Sequence, residues 1–471
     1  MAFPYDLLCL ILDLLASDKV ALCRCCLVNW EFNRAGSRVL YSEIMLWPSF
    51  RSWQAQLSSS IFASASLPRN APHVQVLRIG GYLPHPPPLK LILEVIPTAI
   101  KTFENLQTVE VFPDSDHPFT EILTELEGRP SLVNLRVNSS CTDEASAPLL
   151  AKIEGLRQLE LQRPTRAILQ LLPEWLGRLT SLEELHFTRD CGSITPGLLR
   201  SFIPLLTHIT GFSLGLSYSL TDDDLFLFLA QLPCLEKLQF RYYLQWKSPQ
   251  PGPALKRLRS VTVHHEPFDE EEAIDQLCAV IQRAVSGAPV ERIRLVCSDT
   301  EFALDIDGPR GFDALIAHLC SANANLRALD INVLPISAPS VALLFRTCHA
   351  LEELVIATDT EGYQEFTRLL PTMKRLHTVA LGVYSQDGFY ASPEDAGRVM
   401  QTSDVLRRLS INDVKIAGSW VSDSDGVRFV VQDLSGGASN EVSRGQSATQ
   451  DQKEPEPPAM NAILEEEEPE E

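Results

Sequence analysis

Three groupings of residues in this chain have types and spacings that could do chemistry. Cys23 and Cys26 show the two-residue gap of a metal-binding pair, and His264 and His265 are adjacent imidazoles beside the acidic run Asp269 to Glu272. Lys237, Arg241, Arg292 and Arg294 concentrate positive charge in a protein whose formal net charge is -21. A zinc site needs a second Cys or His pair at finger distance, and none follows Cys26, so both thiols read as packing residues of a helix. Neighbouring residues of a strand point to opposite faces, which keeps His264 and His265 from sharing a metal without distortion. The acidic run reads as the solvated start of a helix, where carboxylates complement the dipole; a cation site is the alternative. There is no Gly-rich phosphate loop, no H-E-x-x-H, no paired C-x-x-C and no G-x-S-x-G, so neither a catalytic residue nor a cofactor is expected. Recognition remains. Arg forks and Lys match carboxylate or phosphate, and with His264 these four cations form a candidate site for an acidic or phosphorylated segment of a protein. The alternative is that they are solvated strand residues with no common ligand.

The elements that must position these residues repeat. From Ile209 to Phe240 the order is strand, turn, helix: apolar Ile209, Phe212 and Leu214, then Thr221 as N-cap with Asp222, Asp223 and Asp224 behind it. Leu225, Phe228, Leu229 and Leu232 follow at helical spacing, Pro233 ends the helix, and the opening pattern returns at Leu235, Leu238 and Phe240. A hexad apolar at its first, fourth and sixth positions starts at Val74, Leu106, Leu132, Leu156, Leu182, Ile209, Leu235, Leu258, Val290, Leu326, Leu351, Leu376 and Leu406. One such unit cannot bury its own apolar side, so thirteen in near-fixed phase argue for a solenoid. This region resembles a leucine-rich-repeat domain of irregular subtype: Ser140, Pro164, Ser217 and Tyr243 stand where Asn or Cys usually follows the strand, and Cys191 is shifted by one. In that fold the residues between the apolar strand positions line a concave face. Early repeats place Glu110, Asn134, Arg136, Gln158, Glu160, Glu184 and His186 there. Middle repeats place Lys237, Gln239, Arg241, Thr262, His264, Arg292 and Arg294.

The first segment, to about Trp47, has another period. Pro4 precedes a helical run carrying Leu7, Leu8, Ile11, Leu12, Leu14 and Leu15; Asp18 caps a second helix through Val20, Leu22 and Cys23; a third element carries Leu27, Val28 and Trp30 before Leu40, Tyr41 and Ile44. A unit of this size is marginal as a self-sufficient core, so part of its apolar surface should meet a partner. The string Pro4, Asp6-Leu7-Leu8, Ile11, Leu14, Asp18, Leu22, Leu27-Val28, Trp30, Leu40-Tyr41 and Ile44 resembles an F-box of the form common in fungal proteins. The resemblance implies docking on a Skp-type adaptor of a cullin-RING ubiquitin ligase through Pro4, Leu7, Leu8, Ile11, Leu14, Leu22, Leu27, Val28 and Trp30. The alternative is a cap on the open end of the solenoid.

Composition bounds the rest. A net charge of -21 argues against nucleic-acid or anionic-membrane partners, because both need Lys and Arg to meet phosphates. From Asp433 to Glu471, 11 acidic residues against 2 basic ones put -9 in the tail and leave -12 on the body. The longest apolar run, Leu7 to Leu15, is broken by Asp13 and has no positive flank, unlike a secretory signal or a membrane span. Eleven cysteines scattered singly suit a reduced cytoplasmic or nuclear protein that uses Cys as a small core residue.

The expected organisation is an α/β chain: an F-box-like helical domain over 1–47, a connector or cap over 48–73, a leucine-rich-repeat solenoid over 74–434, and a disordered acidic tail over 435–471. The connector carries Trp53, Leu57 and Phe62 at helical spacing, and Asp425-Gly426 marks a closing hairpin. The tail holds a small apolar island, Ala459 to Leu464. The function expected is the substrate-recognition subunit of an SCF-type ubiquitin ligase, without catalytic residues of its own. The alternatives are a scaffold that does not direct ubiquitination and, from another class, a hydrolase or transferase assembled from non-local residues.

Overall fold

The computed structural model describes residues 4–48, 60–84, 88–114, 119–243, 255–267, 271–297, 312–323, 325–385, 388–423 and 426–435. Trp53 and Leu57 of the connector, the Asp269–Glu270 half of the acidic run, the turn at Asp425 and the tail from 436 onward, with its apolar island, lie outside the described residues.

Three short helices come first: α1 (Tyr5–Asp13), α2 (Lys19–Cys26) and α3 (Trp30–Leu40). Among the described residues, sixteen strands then form one sheet in chain order. They are β1 (Glu43–Leu46), β2 (Val76–Tyr82), β3 (Thr108–Asp114), β4 (Asn134–Val137), β5 (Gln158–Gln162), β6 (Glu184–Asp190), β7 (Gly211–Leu216) and β8 (Lys237–Arg241), followed by β9 (Ser260–His265), β10 (Arg292–Cys297), β11 (Ala328–Ile336), β12 (Glu353–Asp359), β13 (Thr378–Tyr384), β14 (Arg408–Ile411), β15 (Val414–Asp423) and β16 (Gly426–Asp433). Each of the thirteen hexads becomes one parallel strand that begins two residues after the hexad does. Equal hexad positions therefore stand side by side: Phe212 lies beside Leu238, and Leu238 beside Val261.

The sheet starts before the first of those hexads. Glu43–Leu46 pair in parallel with Val76–Ile79, so the end of the segment expected as an F-box-like helical domain is the first strand of the solenoid. The cause is visible in Tyr41, Ile44 and Leu46, which repeat the hexad with an aromatic residue in first place. At the other end β15 and β16 run antiparallel, and Ile416, Phe429 and Val431 pack on the last repeat.

Helices line one side of the curved, mostly parallel sheet, and one continuous apolar core runs between the layers from Ile44 to Ile416. The architecture is an α/β leucine-rich-repeat solenoid. The helix Asp222–Leu229 shows why local sequence and fold agree: Thr221 Oγ1 accepts from Asp224 N at 3.1 Å, while Asp224 Oδ2 accepts from Thr221 N at 3.2 Å. This capping box satisfies two backbone donors that the helix itself leaves open. The missing Asn ladder has a substitute. Ser217 Oγ donates to Ile194 O at 3.1 Å, Thr358 Oγ1 to Ile336 O at 2.8 Å, and the Tyr243 hydroxyl to Leu220 O, each tying a turn to the preceding repeat.

Candidate protein-interaction site

Two surfaces carry the residues that the sequence singles out. The first is on α1 to α3. Asp18 caps α2 by accepting from Ala21 N at 2.8 Å, and Asn29 caps α3 by accepting from Phe32 N at 2.9 Å. Leu8, Leu12, Leu22, Ala35 and Val39 form a small core separate from that of the solenoid. Gly36 lets α2 and α3 meet closely, since a Cβ there would come within 2.6 Å of Cys26 Sγ. Arg38 clamps α3 to α1 through two 2.7 Å hydrogen bonds to Asp13.

That core corrects two expected contact residues. Leu8 is 2% exposed and Leu22 is fully buried, so both hold the helices together and neither can reach a partner. Leu7, Ile11 and Leu14 remain on the surface of α1, as do Leu27, Val28 and Trp30 at the junction of α2 and α3; Leu14, Leu27 and Trp30 are 83%, 86% and 70% exposed. Pro4 is exposed ahead of α1. Leu10 and Val20 are exposed as well, although the F-box resemblance does not mark them. The i, i+3, i+4, i+7 relation of Leu10, Ile11 and Leu14 to Leu7 was the available signal for Leu10. So much apolar surface on so small a unit is the mark of an interaction face.

The second surface is the sheet face away from the helices. Its first strands carry alternating charges: Arg78 bridges Glu43 at 2.7 Å and Glu110 at 3.2 Å, and Arg136 bridges Glu110 at 3.0 Å and Glu160 at 2.6 Å. The middle cations are placed on this face but are not a free cluster. Lys237 Nζ lies 2.7 Å from Glu184, Arg241 lies 2.7 Å from Glu266, Arg292 lies 3.6 Å from Glu353, and Arg294 lies 3.1 Å from Asp330. Carboxylates on nearby strands offset the charge that the sequence alone shows as a basic group. Register separates them further: Arg241 stands beside His264, whereas Arg292 stands beside Ser260 and Arg294 beside Thr262.

Between these two stretches lies a pocket of about 480 Å³, lined among others by Thr188, Arg189, Gly215, Gln239, Arg241 and His264. A β-bulge makes it. Phe187 pairs with Leu214 and Asp190 with Leu216, so Thr188 and Arg189 together oppose the single residue Gly215. Arg189 adopts a left-handed backbone with φ 66°, and a Cβ on Gly215 would collide with the Arg189 carbonyl oxygen. Sequence reasoning misses Arg189 because it lies one place beyond the outward positions of its hexad, and only the bulge brings it to this face. His264 shares a 2.9 Å hydrogen bond with Gln239. Burial, followed by the charges of Arg241, Arg294, His265 and Arg189, pulls its pKa below the usual imidazole value. His265, on the opposite face of β9, is buried and its Nδ1 lies 2.8 Å from Glu266 O.

Among the described residues no group of three or more His, Cys, Asp or Glu side chains could hold a metal ion. Cys141, Cys191, Cys278, Cys320 and Cys348 are buried, and burial pushes the thiols of Cys191 and Cys278 up to about 12. Among the described residues no helix is long and apolar enough to cross a membrane.

No family model matches this chain, and no curated protein matches it. Solved structures are similar in part, among them the following two. A Bacteroides fragilis protein shares 11% identity over 50% of this chain and 68% of its own, with a TM-score of 0.32. The yeast Rad7 and Elc1 complex provides a chain sharing 16% identity over 64% of this chain and 73% of its own, with a TM-score of 0.37.

Proposed function

We propose that this chain is a substrate-recognition subunit of a cullin-RING ubiquitin ligase, in which α1 to α3 dock on a Skp-type adaptor and the sheet face captures a protein. The observation that carries the reading is the apolar surface of Leu7, Leu10, Ile11, Leu14, Leu27, Val28 and Trp30 on a helical unit whose own core has five buried residues. Water contact over such a surface is unfavourable, and burying it in an adaptor groove supplies the association energy. The F-box resemblance of the same segment identifies the partner class. In this reading the chain has no catalytic residue: it holds a substrate at a fixed distance from the adaptor, and other subunits transfer ubiquitin.

The test is co-purification of the full chain with a recombinant Skp-type adaptor, beside a variant carrying Leu7→Asp, Ile11→Asp and Leu14→Asp. Because these side chains are exposed, the variant keeps its circular dichroism spectrum and unfolding midpoint. The reading predicts stable binding by the wild type and at least a hundredfold weaker binding by the variant. Equal binding by both, or none by the wild type, refutes it.

A further inference from the structure

Eleven free cysteines are scattered along the chain, and two of them meet. Cys320 lies in the last turn of the helix Asp313–Ala322, and Cys348 caps the helix Ala338–Thr347, its N–H bonding to Leu344 O at 2.8 Å. The two helices pack against each other in the layer beside the sheet. Both thiols belong to the solenoid core, Cys348 fully buried and Cys320 6% exposed. The Cys348 thiol donates a hydrogen bond to the Cys320 sulfur. The Thr347 hydroxyl, 2.8 Å from Leu343 O, is within hydrogen-bond reach of the same sulfur and can turn to it. These donors separate the two thiols. The Cys348 hydrogen bond, helped by Thr347, outweighs burial and draws the Cys320 pKa below the ordinary thiol value, while the same contact and burial push Cys348 up. Cys191 and Cys278 have no second thiol beside them among the described residues, and burial pushes both up to about 12.

We propose that Cys320 and Cys348 are a peroxide-sensitive pair, Cys320 the attacking sulfur and Cys348 the resolving one. The Cys320 sulfur attacks one oxygen of hydrogen peroxide and the O–O bond breaks. Cys320 becomes a sulfenic acid, and the departing hydroxide takes up the Cys320 proton as water. Cys348 then attacks that sulfur: the S–S bond forms, the S–O bond breaks, and the Cys348 proton leaves with the hydroxyl as a second water. Two electrons pass from the thiols to the peroxide, and a dithiol reductant returns them. Cys320 lies at a helix end, where fraying gives a small oxidant access. The cysteines are 28 positions apart in sequence, one in the helix before β11 and one at the end of the helix after it. Their bond staples one repeat to the next on the helix side, where apolar packing otherwise holds them. The site stands whether or not the chain docks on an adaptor.

The experiment treats the full folded chain with hydrogen peroxide, blocks the remaining thiols with N-ethylmaleimide in denaturant, and maps linked peptides by mass spectrometry. The bond between Cys320 and Cys348 is expected to be the first disulfide to form, and dithiothreitol reverses it. A bond between Cys23 and Cys26, or between two chains, that forms while Cys320 and Cys348 are still alkylated overturns the proposal. The roles are read in Cys348→Ser, whose hydroxyl keeps a donor beside Cys320 but cannot resolve a sulfenic acid. Dimedone, which traps sulfenic acids, is expected to label Cys320 in this variant about tenfold more than Cys278, which is 4% exposed and so similarly buried. Equal labelling of the two overturns the assignment of Cys320 as the attacking sulfur. The linkage map uses the wild-type chain, so it decides the case even where the variant fails to fold.

Discussion

Arg283 shows how much a single side chain can join in this fold. It leaves the helix Glu271–Val285 to reach Asp222 at 3.1 Å and Asp223 at 2.8 Å, and its guanidinium carbon lies 4.5 Å from the centre of the Phe226 ring. Burial pushes the Asp222 carboxyl up and Asp223 adds to this, while Arg283 pulls it back. The three Asp residues were legible as a helix start. Their partner was not, because it lies 61 residues away in sequence and no local pattern connects the two. Removing one member of a buried pair leaves an uncompensated charge, so Arg283→Ala is expected to cost about 3 kcal/mol. Denaturant unfolding reads the loss, and a change below a few tenths of a kcal/mol would show that the pair is solvated.

At the scale of elements, the strands were the most legible part. A hexad reports burial on one face of a strand, and the same constraint acts at every repeat, so each expected strand is present in phase. What crosses between strands was not legible. The network at Glu184 is an example: Lys237, two strands away, and His186 both meet its carboxyl. The His186 hydrogen bond first, together with Lys237, outweighs burial and lowers the Glu184 pKa from 4.5 to about 2. The folded state therefore takes up this proton less readily than the unfolded chain. The contribution is complete above pH 4.5 and is lost as pH falls towards 2. The stability gap between wild type and Glu184→Gln should be widest above pH 4.5 and shrink on acidification; a gap independent of pH would remove Glu184 from the account.

On the scale of the whole molecule, the chain joins two surfaces, one on the small helical core and one on the continuous core of the solenoid, through β1, which follows directly on α3. Repeat packing makes the solenoid stiff along its length, so its first strand, which follows directly on the helices, and the bulge pocket in its middle keep a fixed relation. The sequence showed both ends of this relation unequally. The apolar residues of α1 to α3 stood out by type, but sequence could not tell Leu8 and Leu22, which build the core, from Leu7 and Leu14, which face outward. The basic residues of the middle repeats stood out by charge, but their carboxylate partners on other strands did not. Pairing across repeats depends on register, and register is set by the fold.

The central claim is that α1 and the junction of α2 and α3 are the docking face. Hydrogen exchange of the full chain, with and without a Skp-type adaptor, tests it directly. The account predicts that the adaptor slows exchange in Tyr5–Asp13 and around Leu27 to Trp30, and leaves the sheet from β2 to β14 unchanged. Unchanged exchange in those helices, or protection confined to the sheet, would contradict it.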